Sequence, residues 1–278
     1  MKASAAAKRA APVTDVALYD GLFERWMGKL AADLPMILEV AKQAKGPIVE
    51  LGVGPGRIAI ALARRGHRVT GVDDSKAMLA ALARCLAAET PAVRARVTAL
   101  RMDLRRLKLP GGRFRLALLP FNTFCHFESI ADQDRVLAGA ARALVRGGWL
   151  WLSVFRLDPA RATGVVRAEP SPLSGEAPGL PGSRTEVFFQ QAIESAAQVT
   201  EARFWLDTVA PDGLVRRQTT HLRLRWFERF ELERALVASG FTVRRVWGDF
   251  DGADFDDRSP QIIMLAQRTG PPPGPTRR

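Results

Sequence analysis

The sequence predicts an α/β fold: a doubly wound, mostly parallel sheet that ends in an antiparallel hairpin, with an antiparallel β insertion. Three observations predict it. Short apolar runs alternate with helical periodicity from residue 15 to residue 156. That alternation stops at residue 157, and three β segments follow before residue 228 without helical crossovers, so they should pair antiparallel. The final two apolar runs, Phe241–Phe250 and Gln261–Gln267, are joined by a loop too short for a crossover helix, so they too should pair antiparallel.

Each element has its own signal. Residues 15–44 carry helical periodicity, and Pro47–Leu51 is a short apolar strand running into glycines. Residues 57–65 are helical until Gly66 stops them. His67–Val72 is a strand ending at Asp73, and residues 75–88 are a helix capped by Ser75 or Asp74. Val93–Met102 reads as a strand ending at Asp103. Phe114–Phe121 is almost wholly apolar, as a strand buried on both faces should be. Residues 130–145 are a helix ended by Gly147-Gly148, and Trp149–Phe155 is another buried strand. Residues 157–183, rich in Pro, Gly, Ser and Ala, read as a long loop. Residues 185–193, 197–209 and 214–226 are the β segments, with a turn at Pro211-Asp212-Gly213. Residues 229–239 return to helix, closed by Gly240. The organisation is therefore a disordered tail at 1–14, a sheet domain of 15–156 and 229–268, an insertion at 157–228, and a disordered Pro/Gly tail at 269–278.

Composition narrows the partners. The net charge is +12, carried mostly by arginine scattered along the chain. No basic run is interleaved with stacking aromatics, so nucleic acid is not an expected partner. No apolar run reaches the roughly 18 residues of a membrane span, so no membrane partner is expected. The basic N-terminus lacks the apolar middle of a secretory signal, which points to the cytoplasm. Cys85 and Cys125 make neither a metal-ligand spacing nor a disulfide framework, and no metal is expected.

The chemistry centres on Glu50-Leu-Gly52-Val-Gly54-Pro-Gly56-Arg57, a glycine loop that follows a strand and opens a helix. The third glycine comes one residue earlier than in the dinucleotide fingerprint, and Arg57 stands where that fingerprint wants Gly or Ala. No Gly-Lys-Ser/Thr follows, which excludes a P-loop. Acids end three successive strands: Glu50, Asp73 and Asp103. A carboxylate before the loop suits a cationic amine, one after the second strand suits ribose hydroxyls, and one after the third lies where an adenine amino group would be. An amine, a ribose and an adenine without phosphate describe S-adenosyl-L-methionine (SAM), which leaves as S-adenosyl-L-homocysteine after giving up its methyl.

At these residues the chain resembles the class I SAM-dependent methyltransferases over about residues 15–268. Val69-Thr-Gly-Val-Asp-Asp-Ser75 with Met78, Met102-Asp103, Pro120-Phe-Asn-Thr-Phe-Cys-His126 and Gly147-Gly-Trp-Leu-Trp-Leu152 carry the resemblance as well. It implies a seven-stranded sheet with an antiparallel last strand. It also implies that Glu50, Gly52, Gly54, Gly56 and Arg57 hold the methionine part of SAM, that Asp73 takes the ribose, and that Met78 packs on the adenine. Asp74 fits loosely as a second acid, and Asp103 and Leu104 would line the adenine pocket.

Three segments are candidates for the reacting face. Pro120 and Asn122 follow the fourth strand, where related enzymes pass a loop under the methyl donor; Asn122 contacts SAM or orients the loop. His126 is either a general base or acceptor contact, its pKa lying near neutrality, or a structural histidine at a helix start. Tyr19, the sole tyrosine, either closes the SAM pocket and reaches the donor or packs on one helical face with Leu22, Phe23 and Trp26. The loop after the penultimate strand holds five aspartates, Asp249 and Asp251 first among them. They either attract an amine substrate or simply solvate a hairpin. The expected reaction is in-line transfer of the methyl to nitrogen or oxygen of a small-molecule acceptor, nitrogen being slightly favoured. The insertion would serve as a lid, and its exposed strands can build a homodimer. The competing readings are an RNA or protein methyltransferase using the basic surface, and a SAM-binding subunit without activity.

Overall fold

The computed structural model describes residues 32–157, 164–170, 175–176 and 182–271. The expectations for Tyr19, for the N-terminal tail and for the first half of the opening helix fall outside the described residues. Two compact units emerge: one of Gly28–Ala162 and Leu224–Arg278, and one containing Thr163–Arg223.

The larger unit holds a seven-stranded sheet. In chain order its strands are β1 (Ile48–Leu51), β2 (Val69–Asp73), β3 (Val97–Arg101), β4 (Phe114–Leu119), β5 (Leu144–Phe155), β11 (Phe241–Trp247) and β12 (Gln261–Arg268). Across the sheet they run β11-β12-β5-β4-β1-β2-β3. β1 to β5 pair parallel, and β12 runs antiparallel to both β5 and β11. This is the seven-stranded sheet with an antiparallel last strand that the sequence predicts. The helices are α1 (Asp33–Ala44), α2 (Arg57–Arg64), α3 (Lys76–Ala87), α4 (Pro91–Arg94), α5 (Ile130–Ala143) and α6 (Arg229–Ala238). One core holds the α5 and α6 side of the sheet, with Val49, Leu51, Ala117, Leu119, Val136, Leu232 and Leu236. The other holds the α1 and α2 side, with Ile37, Ile48, Ile58, Leu116, Leu118 and Trp151. The apolar runs of β1 and β4 are continuous because both faces are covered. β3, at the sheet edge, is half exposed.

Local departures have local causes. Pro91–Arg94 forms a helical turn capped by Thr90 Oγ1, so the third strand starts at Val97 rather than Val93. α5 ends at Ala143 and β5 begins at once, so Gly147-Gly148 lies inside the strand rather than after the helix. The pairing shows why: Phe114 opposes Leu144 but Leu116 opposes Trp149, so β5 bulges there. A Cβ on Gly148 would lie 2.9 Å from the Val145 carbonyl, and only glycine lets the bulged strand come that close.

The smaller unit is an antiparallel sheet in the order β10-β9-β8-β6, with β7 pairing β8. β8 (Arg184–Glu194), β9 (Val199–Val209) and β10 (Val215–Arg225) match the three segments read from the sequence. At the tip between β9 and β10 the Asp212 carboxylate accepts the Leu214 N–H at 3.0 Å. β6 (Gly164–Pro170) and β7 (Gly175–Glu176) lie in the stretch read as loop. Both pair with β8, a long-range partner that supplies the ladder their Pro- and Gly-rich flanks conceal.

Candidate active site

The strand order reverses between β1 and β4, which flank each other at the centre of the sheet. In an open α/β sheet the crevice beyond the strand carboxyl ends at such a point is where ligands bind. The glycine loop leaves β1 there, and the Pro120–His126 segment leaves β4 beside it.

Gly52, Gly54 and Gly56 all take positive φ, at 82°, 52° and 93°. At Gly52 the need is double: a Cβ would sit 2.6 Å from Thr123 Cγ2, so any larger residue would push the two loops apart. The loop is tied to the neighbouring strand, with the Gly52 and Val53 N–H groups both donating to the Val72 carbonyl. The Gly54 N–H donates to Asp73 Oδ2 at 2.9 Å, and the Ser75 N–H to Asp73 Oδ1 at 2.9 Å. Ser75 Oγ in turn caps α3 by accepting the Met78 N–H. Burial raises the Asp73 pKa above the usual carboxylate value, against those N–H groups, which lower it. Each carboxylate oxygen of Asp73 keeps acceptor capacity for a diol.

Glu50 is 2% exposed, and its buried Oε2 has no hydrogen-bond partner among the described residues. Its carboxyl is pushed up to about 8, chiefly by burial; Arg57 opposes the shift, and Asp33 and Asp73 add to it. Arg57 itself turns to Asp33: Nη1 and Nη2 each donate to one carboxylate oxygen of that buried residue at 2.6 Å. The guanidinium also lies 5.9 Å from the Phe121 ring. Asp33 was not among the candidates read from the sequence, which set it inside the helical stretch of residues 15–44 with no motif around it.

Asp103 caps a 3-10 turn, Leu104–Arg106, by accepting the Arg105 N–H. The Arg105 guanidinium grips both of its oxygens and holds its pKa below the usual carboxylate range. Met78 and Leu104 are buried, and Asp74 is exposed.

After Pro120, Phe121 and Asn122 both adopt left-handed φ, 52° and 61°. The end of β5 holds them: Ser153 Oγ accepts the Phe121 N–H, the Ser153 carbonyl accepts the Asn122 N–H, and Asn122 Oδ1 accepts the Phe155 N–H at 2.6 Å. The Asn122 side chain therefore orients the loop. Thr123–His126 forms a 3-10 turn. His126, at the end of that turn, is exposed, and the protein atoms around it partly desolvate its ring. That desolvation lowers its pKa, and the Asp74 carboxylate opposes the shift. Cys125 is fully buried and its thiol pKa is raised far up, so it is no nucleophile.

Because β12 runs antiparallel to β5 and β11, the β11–β12 loop lies at the same edge of the sheet. The Arg156 guanidinium pins it by donating to the Asp256 and Asp257 carbonyls. Asp249 Oδ1 accepts the N–H groups of Asp251 and Ala253, so it shapes the loop. Asp251 and Asp254 are exposed. Among the described residues no cluster of His, Cys, Asp or Glu could hold a metal ion. No described helix is long and apolar enough to cross a membrane.

An orphaned buried carboxylate oxygen, a glycine cradle and an acid with spare acceptor capacity around one crevice fit SAM and would repel a phosphate. Residues 48–148 match the family model described as methyltransferase domain. The chain carries a methyltransferase domain. Among curated proteins the chain is similar to the cypemycin N-terminal methyltransferase of a Streptomyces species, 27% identical over 80% of this chain and 82% of that one. Among solved structures it is similar in fold to the CcbJ methyltransferase from Streptomyces caelestis, with TM-score 0.65, 23% identity and 90% of each chain covered. The sugar N-methyltransferase KedS8 from a Streptoalloteichus species aligns with TM-score 0.70 and 19% identity over 95% of this chain and 98% of that one.

Proposed function

We propose that the enzyme transfers the methyl of SAM to an amine nitrogen of a small metabolite, in the cytoplasm, by in-line displacement. SAM supplies a methyl on a positively charged sulfur. The observation that carries the site reading is the buried, unpartnered Oε2 of Glu50 beside the glycine loop, which suits the ammonium of the donor. Asp73 takes the ribose hydroxyls, Met78 and Leu104 flank the adenine, and the Phe121-Asn122 turn forms the floor beneath the reacting methyl. Holding donor and acceptor aligned supplies most of the acceleration. His126, neutral at pH 7 because its pKa is lowered, accepts the proton that the acceptor loses.

Charge placement supports a small amine over a nucleic acid. Four arginines of the loops after these strands and of α6 are already engaged: Arg105 with Asp103, Arg156 with two carbonyls, Arg229 with Glu233 and Arg258 with Asp256. The exposed Asp251 and Asp254 would attract a cationic acceptor and repel a phosphate chain. Similarity to the cypemycin N-terminal methyltransferase and to the sugar N-methyltransferase KedS8 agrees with nitrogen as target. A peptide amine is the second reading, favoured by the cypemycin relative. A homodimer belongs to the same proposal, since β10 and β6 are, among the described residues, the end strands of the smaller sheet. A screen of labelled SAM against primary amines, phenols and peptides tests the reading. Label on an amine supports it, and label confined to hydroxyl acceptors or RNA overturns it.

A further inference from the structure

Arg57 and Glu50 flank the same glycine loop, and Arg57 acts electrostatically on the Glu50 carboxyl. A guanidinium beside a buried, orphaned carboxylate oxygen would ordinarily pair with it. Here the two terminal nitrogens of Arg57 point instead at Asp33, which is 0% exposed in the first turn of α1. The pair is bidentate and short, the geometry in which Arg and carboxylate bind each other best.

We propose that Asp33 is a positioning residue for the cofactor: by holding Arg57 in a two-point pair, it keeps Glu50 Oε2 open for the ammonium of SAM. The inference rests on the reading that Glu50 receives that ammonium. The groups acting on Glu50 come from three directions. Arg57 and the Ala59 N–H on α2 favour its ionised form, while Asp33 on α1 and Asp73 on β2 favour the neutral one. Burial outweighs them all, so at pH 7 the free enzyme carries Glu50 as the neutral acid. When the donor's ammonium docks, the Glu50 O–H bond breaks, the proton leaves to solvent, and the carboxylate pairs with the ammonium. Without Asp33, Arg57 swings to Glu50. The carboxyl is then ionised before the cofactor arrives, no proton is left to release, and the ammonium must displace a guanidinium.

Titration calorimetry of SAM into the full chain at pH 7, in two buffers of different ionisation heat, counts the protons released. Wild type releases about one proton per SAM bound, as a carboxyl at about 8 requires. Asp33→Asn releases almost none and binds SAM at least tenfold more weakly. Asp33→Asn with Arg57→Met restores the release, because the competing guanidinium is gone. Each protein is measured below its own melting temperature, and Asp33→Ser gives a second route to the same state should the asparagine variant not fold. Unchanged proton release in Asp33→Asn or Asp33→Ser, or a double variant that behaves like Asp33→Asn, overturns the inference alone. A wild-type chain that binds SAM without releasing a proton, or does not bind it, overturns the reading of Glu50 together with the inference.

Discussion

Asp73 Oδ2 accepts the N–H of Gly54 at 2.9 Å across nineteen positions of sequence. The acid that ends β2 therefore shapes the glycine loop that follows β1, besides facing the crevice both create.

Replacing Asp73 should accordingly cost twice. Asp73→Ala removes the tie to the loop and the acceptor for the ribose, each a charge-assisted bond worth about 1.5–3 kcal/mol. SAM affinity should fall by roughly a hundredfold or more, while the melting temperature falls only by a few degrees. Equilibrium binding beside a thermal melt checks both. Tight binding by Asp73→Ala would remove the residue from the site.

Glu50 makes the free enzyme sensitive to alkali. Its folded pKa of about 8 lies above the ordinary 4.5, so the folded chain keeps a proton that the unfolded chain has lost. That contribution is full below pH 4.5, declines by about 1.4 kcal/mol per pH unit above it, and is spent once the pH passes about 8. Glu50→Gln, neutral at every pH, should flatten this slope in denaturation curves between pH 5 and 8 and bind SAM at least tenfold more weakly. An equally steep slope in the variant would show that Glu50 is not the group responsible.

Gly52→Ala tests the contact between the two loops. Its methyl would meet Thr123 at 2.6 Å on a backbone of φ +82°, a strain of order 1–3 kcal/mol. Loss of SAM binding is expected, and Thr123→Gly in the same chain should recover part of it by opening the space. If Gly52→Ala binds SAM like wild type, the loops are not held as described.

His126 should shape the acid limb of the pH–rate profile. A pKa below the usual 6.5 leaves the base competent at pH 7 and disarms it as the pH falls through that lowered value. His126→Asn should lower kcat by about 10²–10⁴ and erase the limb with SAM affinity unchanged. Asp74→Asn should move the limb to lower pH, because Asp74 raises the His126 pKa. A normal limb in His126→Asn would assign the proton to another group.

The sheet was legible because its signals are short in range. Buried strands are written as apolar runs, and the acids at their ends announce a ligand. What stayed hidden depends on pairing across the chain. Gly147-Gly148 reads as a helix stop until β4 shows that it is a bulge. β6 and β7 have no pattern of their own and exist through β8. Asp33 and Arg57 lie 24 residues apart, and neither residue signals the other. Asn122 left two roles open, contact or scaffold, and its bond to Phe155 supports the scaffold. Asp103 could be placed at the end of the third strand, but Arg105, two residues on, was not read as its partner.

The most direct test of the account is calorimetric binding of SAM and of S-adenosyl-L-homocysteine to the full chain, with Asp73→Ala as reference. The expected result is one SAM per chain, binding that S-adenosyl-L-homocysteine competes for, and a loss of about a hundredfold in the variant. No binding by the wild-type chain, or equal binding by the variant, would contradict it.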